Sequence, residues 1–183
     1  MIVAIKGGHN TGKTAFIEEV VRRFSDLSVV VIKLSGQDSI DMEGKDTHRY
    51  RAAGAQTSII VAKNETVLFS KKHNIDSVLS LAKKLMPDII IVEGYHRIEK
   101  IPHTFIIDTE KDIDMERIHE QMVEALEKEK NDIAVFVDGH EIPMNTFTRE
   151  LFHKTIRAIF SCLKGGDGDR VEIFIRGDGH KHI

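Results

Sequence analysis

The sequence is poor in cysteine, and its one cysteine, Cys162, cannot form a disulfide within the chain. Because Cys162 lies in an apolar helical pattern, we expect a small buried side chain, and such sparse cysteine suits a reducing compartment. No run of about eighteen apolar residues occurs, and the N-terminal apolar run is too short for a signal peptide. These absences predict a soluble, cytoplasmic protein that has no membrane partner.

Neither sign of charge is in large excess, since the sequence has 26 Lys and Arg and 29 Asp and Glu, which gives a net charge of −3. A surface built for nucleic acid or anionic lipid normally carries an excess of positive charge. We therefore expect no nucleic-acid partner. The length of 183 residues allows one α/β domain with a small extension, but not two full domains.

The most informative segment lies at the N-terminus, where the apolar run 2–5 leads into GGHNTGKT, a full match to G-x-x-x-x-G-K-[ST]. Its glycines let the backbone turn several N–H groups toward a di- or triphosphate. Lys13 would reach the phosphate oxygens, and the hydroxyl of Thr14 would coordinate Mg²⁺ at the start of the next helix. The nucleotide-binding residues assigned to this phosphate-binding loop (P-loop) are Gly8, His9, Asn10, Thr11, Gly12, Lys13 and Thr14.

Strand-like and helix-like patterns alternate after this loop, which predicts a P-loop NTPase-like three-layer α/β fold with a mainly parallel sheet. The predicted elements are a helix at 15–24, a strand at 29–32 buried on both faces, a short helix at 47–53, a hairpin of 58–62 and 66–69, a helix at 75–85, strands at 88–93 and 104–108, and a helix from 115 to about 130.

Residues 132–183 are predicted to form a small C-terminal extension of strand, helix and strand beyond the P-loop domain of residues 1–131. A strand at 133–137 precedes a turn at Asp138-Gly139, a helix spans about 147–163, and a half-exposed strand covers 171–176. We expect this extension to pack on the P-loop domain or to lie at a dimer interface.

Two further segments carry candidate chemistry. Glu93 ends the strand at 88–93, where P-loop proteins place an acidic residue near Mg²⁺; it would hold a metal-bound water or activate a nucleophile. His96 and Arg97 follow, and either they face the same cleft or they are solvated. The polar segment 34–46 follows a strand; either it supplies ligands to the cleft or it is an ordinary solvated loop.

The sequence Thr-Glu-Lys-Asp at 109–112 does not reproduce N-K-x-D, the motif that recognises guanine in many GTP-binding proteins. The base of the nucleotide is therefore left open.

The sequence resembles the molybdopterin-guanine dinucleotide biosynthesis adaptor family, MobB, in GGHNTGKT, in VVVIK, in DMEGKDTHRYRAAGA at 41–55 and in DIIIVEGYH at 88–96. The resemblance implies a P-loop fold, GTP and Mg²⁺ as cofactors, a homodimer, and assistance to the guanylyltransferase that joins GMP to molybdopterin, with molybdopterin as a further candidate ligand. It also implies that Glu93 supports Mg²⁺. The residues implied to line the nucleotide or cofactor cleft are Lys45, Asp46, Arg49 and Arg51.

Two competing functions follow from the same residues. A P-loop small-molecule kinase would transfer a γ-phosphoryl group while Glu93 or Asp46 orients an acceptor hydroxyl, but kinases usually carry clustered lid arginines and those of this chain are dispersed. A metal-insertion GTPase would need a Cys/His cluster, and the ten histidines lack ligand spacing. The favoured prediction is an adaptor that is at most a weak GTPase.

Overall fold

A computed structural model of the chain describes residues 1–71, 74–94, 98, 101, 103–129, 133–137, 140–168, 171 and 173. The described residues separate into two compact units, one from the ranges 1–130 and 137–140 and the other from 131–136 and 141–183. In chain order the elements are β1 (Ile2–Lys6), α1 (Lys13–Arg23), β2 (Val29–Lys33), α2 (Asp46–Ala52), β3 (Thr57–Val61), β4 (Thr66–Ser70), α3 (Ile75–Lys84), β5 (Ile89–Glu93), β6 (Phe105–Asp108), α4 (Met115–Glu129), β7 (Phe136–Val137), β8 (His140–Glu141) and α5 (Thr146–Ser161).

The first unit is built on a four-stranded sheet with the order β2-β5-β1-β6, in which every neighbouring pair is parallel. The central strands consist almost entirely of β-branched and aliphatic residues, as expected for strands covered on both faces. Alternate residues of β5 enter two separate cores: Ile89 and Ile91 face one, and Ile90 and Val92 face the other.

Helices cover both faces of this sheet. On one face α1 contributes Phe16, Ile17 and Val20, and α4 contributes Met122, which is almost fully buried. On the other face α3 contributes Leu79 and Ala82. This three-layer arrangement confirms the predicted α/β fold with a mainly parallel sheet.

The strand register brings several chain segments to the same edge of the sheet. Ile5 of β1 pairs with Glu93 of β5, and Glu93 is also level with Lys33 of β2. On the other side of β1, Lys6 is level with Asp108 of β6. Because ligands of open α/β sheets bind at the carboxyl ends of the strands, the segments after these four strands mark the candidate site.

A separate two-stranded sheet is the predicted antiparallel hairpin of β3 and β4, with Ile59 opposite Leu68. The prediction for β2 was wrong in one respect: its strand exists, but Val31 is 45% exposed rather than buried. The reason is position, because β2 stands at the end of the strand order described for this sheet and has a paired neighbour on one side only.

The second unit contains α5, in agreement with the predicted helix. The Asn145 side chain caps it by accepting a hydrogen bond from the Thr148 N–H at 2.8 Å. The prediction that Cys162 is buried was wrong: it follows the last turn of α5, and its side chain is exposed. None of the described helices is long and apolar enough to cross a membrane.

The remaining predictions for the extension are only partly covered by the structure. The strand predicted at 133–137 is shorter, since only Phe136–Val137 is extended and paired as β7. Val171 and Ile173 lie outside any strand, and the rest of the strand predicted at 171–176 lies outside the described residues, as does the turn at 138–139.

Candidate nucleotide-binding site

A glycine-rich loop connects β1 to α1 at the centre of the sheet edge. Two of its residues have left-handed backbone conformations, Asn10 with φ 61° and Gly12 with φ 82°. Gly12 directly precedes α1, and its carbonyl accepts the first helical hydrogen bond, from Phe16 N at 2.9 Å. The loop therefore curls around the N-terminal end of α1, where the helix dipole favours an anion.

The Lys13 side chain folds back over the first half of the loop. Its ammonium donates to the Gly7 carbonyl oxygen at 2.9 Å and to the Gly8 carbonyl oxygen. An ammonium group has three donors, so this arrangement fixes the position of the charge and leaves one N–H for a further acceptor. Lys13 is partly buried and Thr14, next in the helix, is exposed.

Thr109, the first residue after β6, also contacts the loop. Its buried hydroxyl donates to the Lys6 carbonyl at 3.1 Å and lies 2.7 Å from the hydroxyl of Thr11. The single Thr11 hydroxyl hydrogen is donated either to Thr109 or to the Gly8 carbonyl oxygen, which lies 3.1 Å away. A Cβ on Gly7, whose φ is +151°, would overlap the hydroxyls of both threonines. The first glycine of the motif is therefore required by close packing as well as by its dihedral angle.

Glu110 adds a third contact to the loop. Its carboxylate accepts a hydrogen bond from the Gly8 N–H at 2.7 Å. The backbone N–H of Glu110 donates to the Asp108 carboxylate at 3.1 Å, and Asp108 also pairs with Lys6 at 3.6 Å. The turn after β6 is thus fixed by its own hydrogen bonds while it holds the P-loop.

Glu93 lies where the sequence predicts a metal-associated carboxylate. It ends β5, the parallel neighbour of β1, and is only 6% exposed. Its Oε1 lies 2.9 Å from the ammonium of Lys33, whose side chain is largely exposed. Within the part of the chain that the structure describes, no three His, Cys, Asp or Glu residues converge as a metal site.

The segment after β2 is organised by an ion pair that the sequence does not reveal. Asp41 accepts hydrogen bonds from the Arg51 guanidinium and from the Thr47 hydroxyl, the latter at 3.0 Å. The guanidinium also lies over the ring of Phe69, 5.6 Å from its centroid. Burial of the carboxyl opposes its ionisation, but the hydrogen bonds from Arg51 and Thr47 and the Arg51 charge outweigh burial and hold the pKa of Asp41 below its usual value.

The four predicted cleft residues of this segment are in two different environments. Lys45 precedes α2, and Asp46 and Arg49 lie on its exposed surface with an ion pair of 3.7 Å between them. Arg51 points inward to Asp41. Arg51 contacts the loop before α2 and the hairpin after it, whereas the P-loop contacts the turn after β6. His96 and Arg97 lie outside the described residues.

Sequence reasoning did not identify Thr109 and Glu110 as site residues, although a signal was present. Both directly follow β6, whose carboxyl end is level with the start of the P-loop. Residues 109–112 were interpreted only for base recognition, by comparison with N-K-x-D, and not for contacts with the P-loop. The pairing of Asp41 with Arg51 was also missed, because only the fold brings these two residues together.

A parallel sheet whose central strand leads through a glycine-rich loop into a helix defines a P-loop NTPase-like α/β protein. The chain belongs to the MobB family, described as molybdopterin guanine dinucleotide synthesis protein B, whose family model matches residues 2–138. The match includes β1 to β6 and the whole of the candidate site.

Two relatives carry provisional names as molybdopterin-guanine dinucleotide biosynthesis adapter proteins. The one from Methanocaldococcus jannaschii is 26% identical, and the alignment covers 92% of this chain and 94% of that protein. The one from Bacillus subtilis is 29% identical over 62% of this chain and 68% of that protein. The crystal structure of Bacillus subtilis MobB covers 65% of this chain and 72% of its own, at 27% identity and a TM-score of 0.46.

Proposed function

We propose that this chain is a GTP-binding adaptor that assists the guanylylation of molybdopterin during molybdenum cofactor biosynthesis. Membership of the MobB family and the names of its relatives support the pathway. The single observation that best supports nucleotide binding is the position of Lys13, whose ammonium is fixed on the Gly7 and Gly8 carbonyls at the N-terminal end of α1. The proposed location is the cytoplasm.

The proposed ligand is a nucleotide with at least two phosphates, bound by residues 8–14. The backbone N–H groups of the loop, apart from that of Gly8, which donates to Glu110, would surround the phosphates together with the helix N-terminus. Lys13 would neutralise part of their charge. Lys13 retains a donor for this role because only two of its three N–H bonds point to the loop. The proposed cations for the nucleotide or for molybdopterin are Lys45, which precedes α2, and Arg49, which lies on the exposed surface of α2.

Mg²⁺ is the proposed metal, with Thr14 and Glu93 as its protein partners. Both offer oxygen, the donor that Mg²⁺ prefers, and Mg²⁺ usually takes one or two protein ligands together with phosphates and water. The lack of a three-residue cluster among the described His, Cys, Asp and Glu residues suits such a site better than a dedicated metal cage. When bound, Mg²⁺ would neutralise phosphate charge.

An adaptor with weak turnover is favoured over a small-molecule kinase. Of the two candidate catalytic carboxylates, Glu93 is paired with Lys33, and Asp46 lies exposed beside Arg49. Arg51 is engaged by Asp41 and Phe69, and so is not available as a mobile lid arginine. Kinases usually bring clustered lid arginines to the transferred group, and Arg51 does not offer one.

The proposed adaptor is a homodimer that contacts the molybdopterin guanylyltransferase. One face of the hairpin supports self-association, since Ile59, Val61 and Leu68 lie on it and are all exposed. Exposed apolar patches of this kind often mark interfaces. Sedimentation analysis should give a dimer mass for the purified chain and a monomer mass for Leu68→Glu; a monomeric wild-type chain would contradict this part of the proposal.

Calorimetric titration with GTP and with ATP, each in Mg²⁺ and with hydrolysis followed in the same samples, tests the nucleotide assignment. We expect GTP to bind at least about tenfold more tightly than ATP, with little turnover. Preference for ATP, or phosphate transfer that accelerates with a hydroxylated metabolite, would support the kinase instead. Adding the chain to purified guanylyltransferase, GTP and molybdopterin should increase the yield of dinucleotide.

A further inference from the structure

One peptide group of the P-loop lies between two opposite charges. The carbonyl of the Gly7–Gly8 peptide accepts from the Lys13 ammonium at 2.9 Å, and the N–H of the same peptide donates to the Glu110 carboxylate at 2.7 Å. The two side chains therefore act on a single rigid, planar unit. A peptide group held at both ends by charges is polarised, and each hydrogen bond strengthens the other.

We infer that Glu110 is a positioning residue for Lys13 and hence for phosphate binding. By fixing the Gly7–Gly8 peptide, Glu110 keeps the carbonyl aimed at the ammonium, and so keeps the remaining Lys13 donor available to phosphate. This inference rests on the proposed nucleotide binding. It deepens that proposal by naming a residue outside the P-loop motif on which the Lys13 position depends.

Glu110 is exposed, and its role is supported by the contacts that fix the turn around it. Its own backbone N–H is bonded to Asp108, which fixes the turn from which the side chain extends. The neighbouring Thr109 holds the other part of the loop through Thr11. The Thr109 and Thr11 hydroxyls occupy the space beside the Gly7 Cα. The Glu110 carboxylate is the acceptor that the structure assigns to the Gly8 N–H.

The role of Glu110 as an acceptor can be separated from the effect of its charge. A carboxylate near a phosphate site repels the ligand, so a residue that acted through charge alone would weaken binding, and its removal would tighten binding. A positioning residue has the opposite effect. Glu110→Gln keeps an acceptor oxygen at the same place and removes the charge, whereas Glu110→Ala removes both.

The test is titration of GTP with Mg²⁺ into the wild-type full chain, Glu110→Ala and Glu110→Gln, with Glu120→Ala as the control. Glu120 is exposed on α4, so its replacement changes net charge equally without touching the loop. We expect about fivefold weaker binding for Glu110→Ala, and binding within about twofold of wild type for Glu110→Gln and Glu120→Ala. Equal melting temperatures would exclude general unfolding as the cause.

A ligand-free readout accompanies the titration. In an ¹⁵N-labelled sample, the Gly8 amide proton should lie downfield in the wild type and in Glu110→Gln relative to Glu110→Ala, because it is hydrogen bonded only in the first two. Unchanged or tighter GTP binding by Glu110→Ala, failure of Gln to restore binding, or an identical Gly8 resonance in all three proteins would each overturn the inference. A wild-type chain that binds neither GTP nor ATP would overturn the proposed function, and this inference with it.

Discussion

Lys33 and Glu93 form an ion pair of 2.9 Å between side chains that stand level on neighbouring parallel strands, β2 and β5. The two partners differ in environment, since the Glu93 side chain is 8% exposed and the Lys33 side chain 71%. A buried carboxylate needs a partner, whereas an exposed ammonium does not. The pair therefore neutralises Glu93 from the solvent side and fixes its orientation at the sheet edge.

Lys33→Met should lower the free energy of unfolding by about 1 kcal/mol, because Glu93 is left without its cation while solvent screens part of the loss. Urea unfolding of the two proteins measures the difference. In a Glu93→Gln background the same substitution should cost close to nothing, since the charge that needs Lys33 is gone. An equal cost in both backgrounds would mean that Lys33 stabilises the chain by other contacts.

Glu93→Gln should weaken nucleotide binding in the presence of Mg²⁺ by about tenfold or more, as expected when a carboxylate that supports a metal is removed. In EDTA the wild type and the variant should bind nucleotide equally well. Titration of both proteins under both conditions gives the four affinities. A loss of the same size in EDTA would place the role of Glu93 in loop structure rather than in metal binding.

Local sequence patterns were sufficient for much of the fold. The strand and helix on either side of the P-loop motif, the buried strand β5 and the hairpin of β3 and β4 each depend on residues adjacent in sequence, and the structure confirms these elements. Glu93 lies at the carboxyl end of the sheet because β5 is a parallel neighbour of β1 and Glu93 is its last residue.

The missed features depend on contacts that sequence periodicity does not encode. The bond between Gly8 and Glu110 joins positions 102 residues apart. The bond between Arg51 and Asp41 is of the same kind, because the fold of the loop before α2 brings Asp41 to the guanidinium. Cys162 illustrates the same limit, since an apolar helical pattern does not reveal which face is covered at the last turn.

Lowering the pH should reduce the free energy of unfolding partly through Asp41. Its pKa in the folded protein lies below the ordinary 3.8, so ionised Asp41 stabilises the fold above that pH, and this stabilisation is lost as pH falls from 3.8 through the lower folded value. Unfolding in urea at several pH values between about 6 and 3 should show a shallower acid slope for Asp41→Asn than for wild type. Asp38→Asn, exposed on the same loop, is the matched control and should keep the wild-type slope.

Gly7→Ala should both destabilise the chain and impair phosphate binding. Its Cβ would overlap the Thr109 and Thr11 hydroxyls, and its φ of +151° is unfavourable for alanine. We expect a loss of about 1–3 kcal/mol in the free energy of unfolding. Gly36→Ala is the matched control, because a Cβ at that position meets nothing within 4 Å. Equal stability of both variants would contradict the packing assigned to Thr109.

Lys13→Ala tests the site as a whole. Loss of the ammonium removes a charge-assisted contact to phosphate, which should weaken nucleotide binding by about 1.5–3 kcal/mol. It also releases the Gly7 and Gly8 carbonyls, so part of the effect comes from a less ordered loop. Lys13→Arg separates the two causes: it keeps the charge, but its planar fork does not reproduce the geometry of the ammonium. Calorimetry on variants whose folding is verified by circular dichroism should give the weakest binding for Ala and intermediate binding for Arg, and unchanged affinity of a folded Lys13→Ala protein would refute the site.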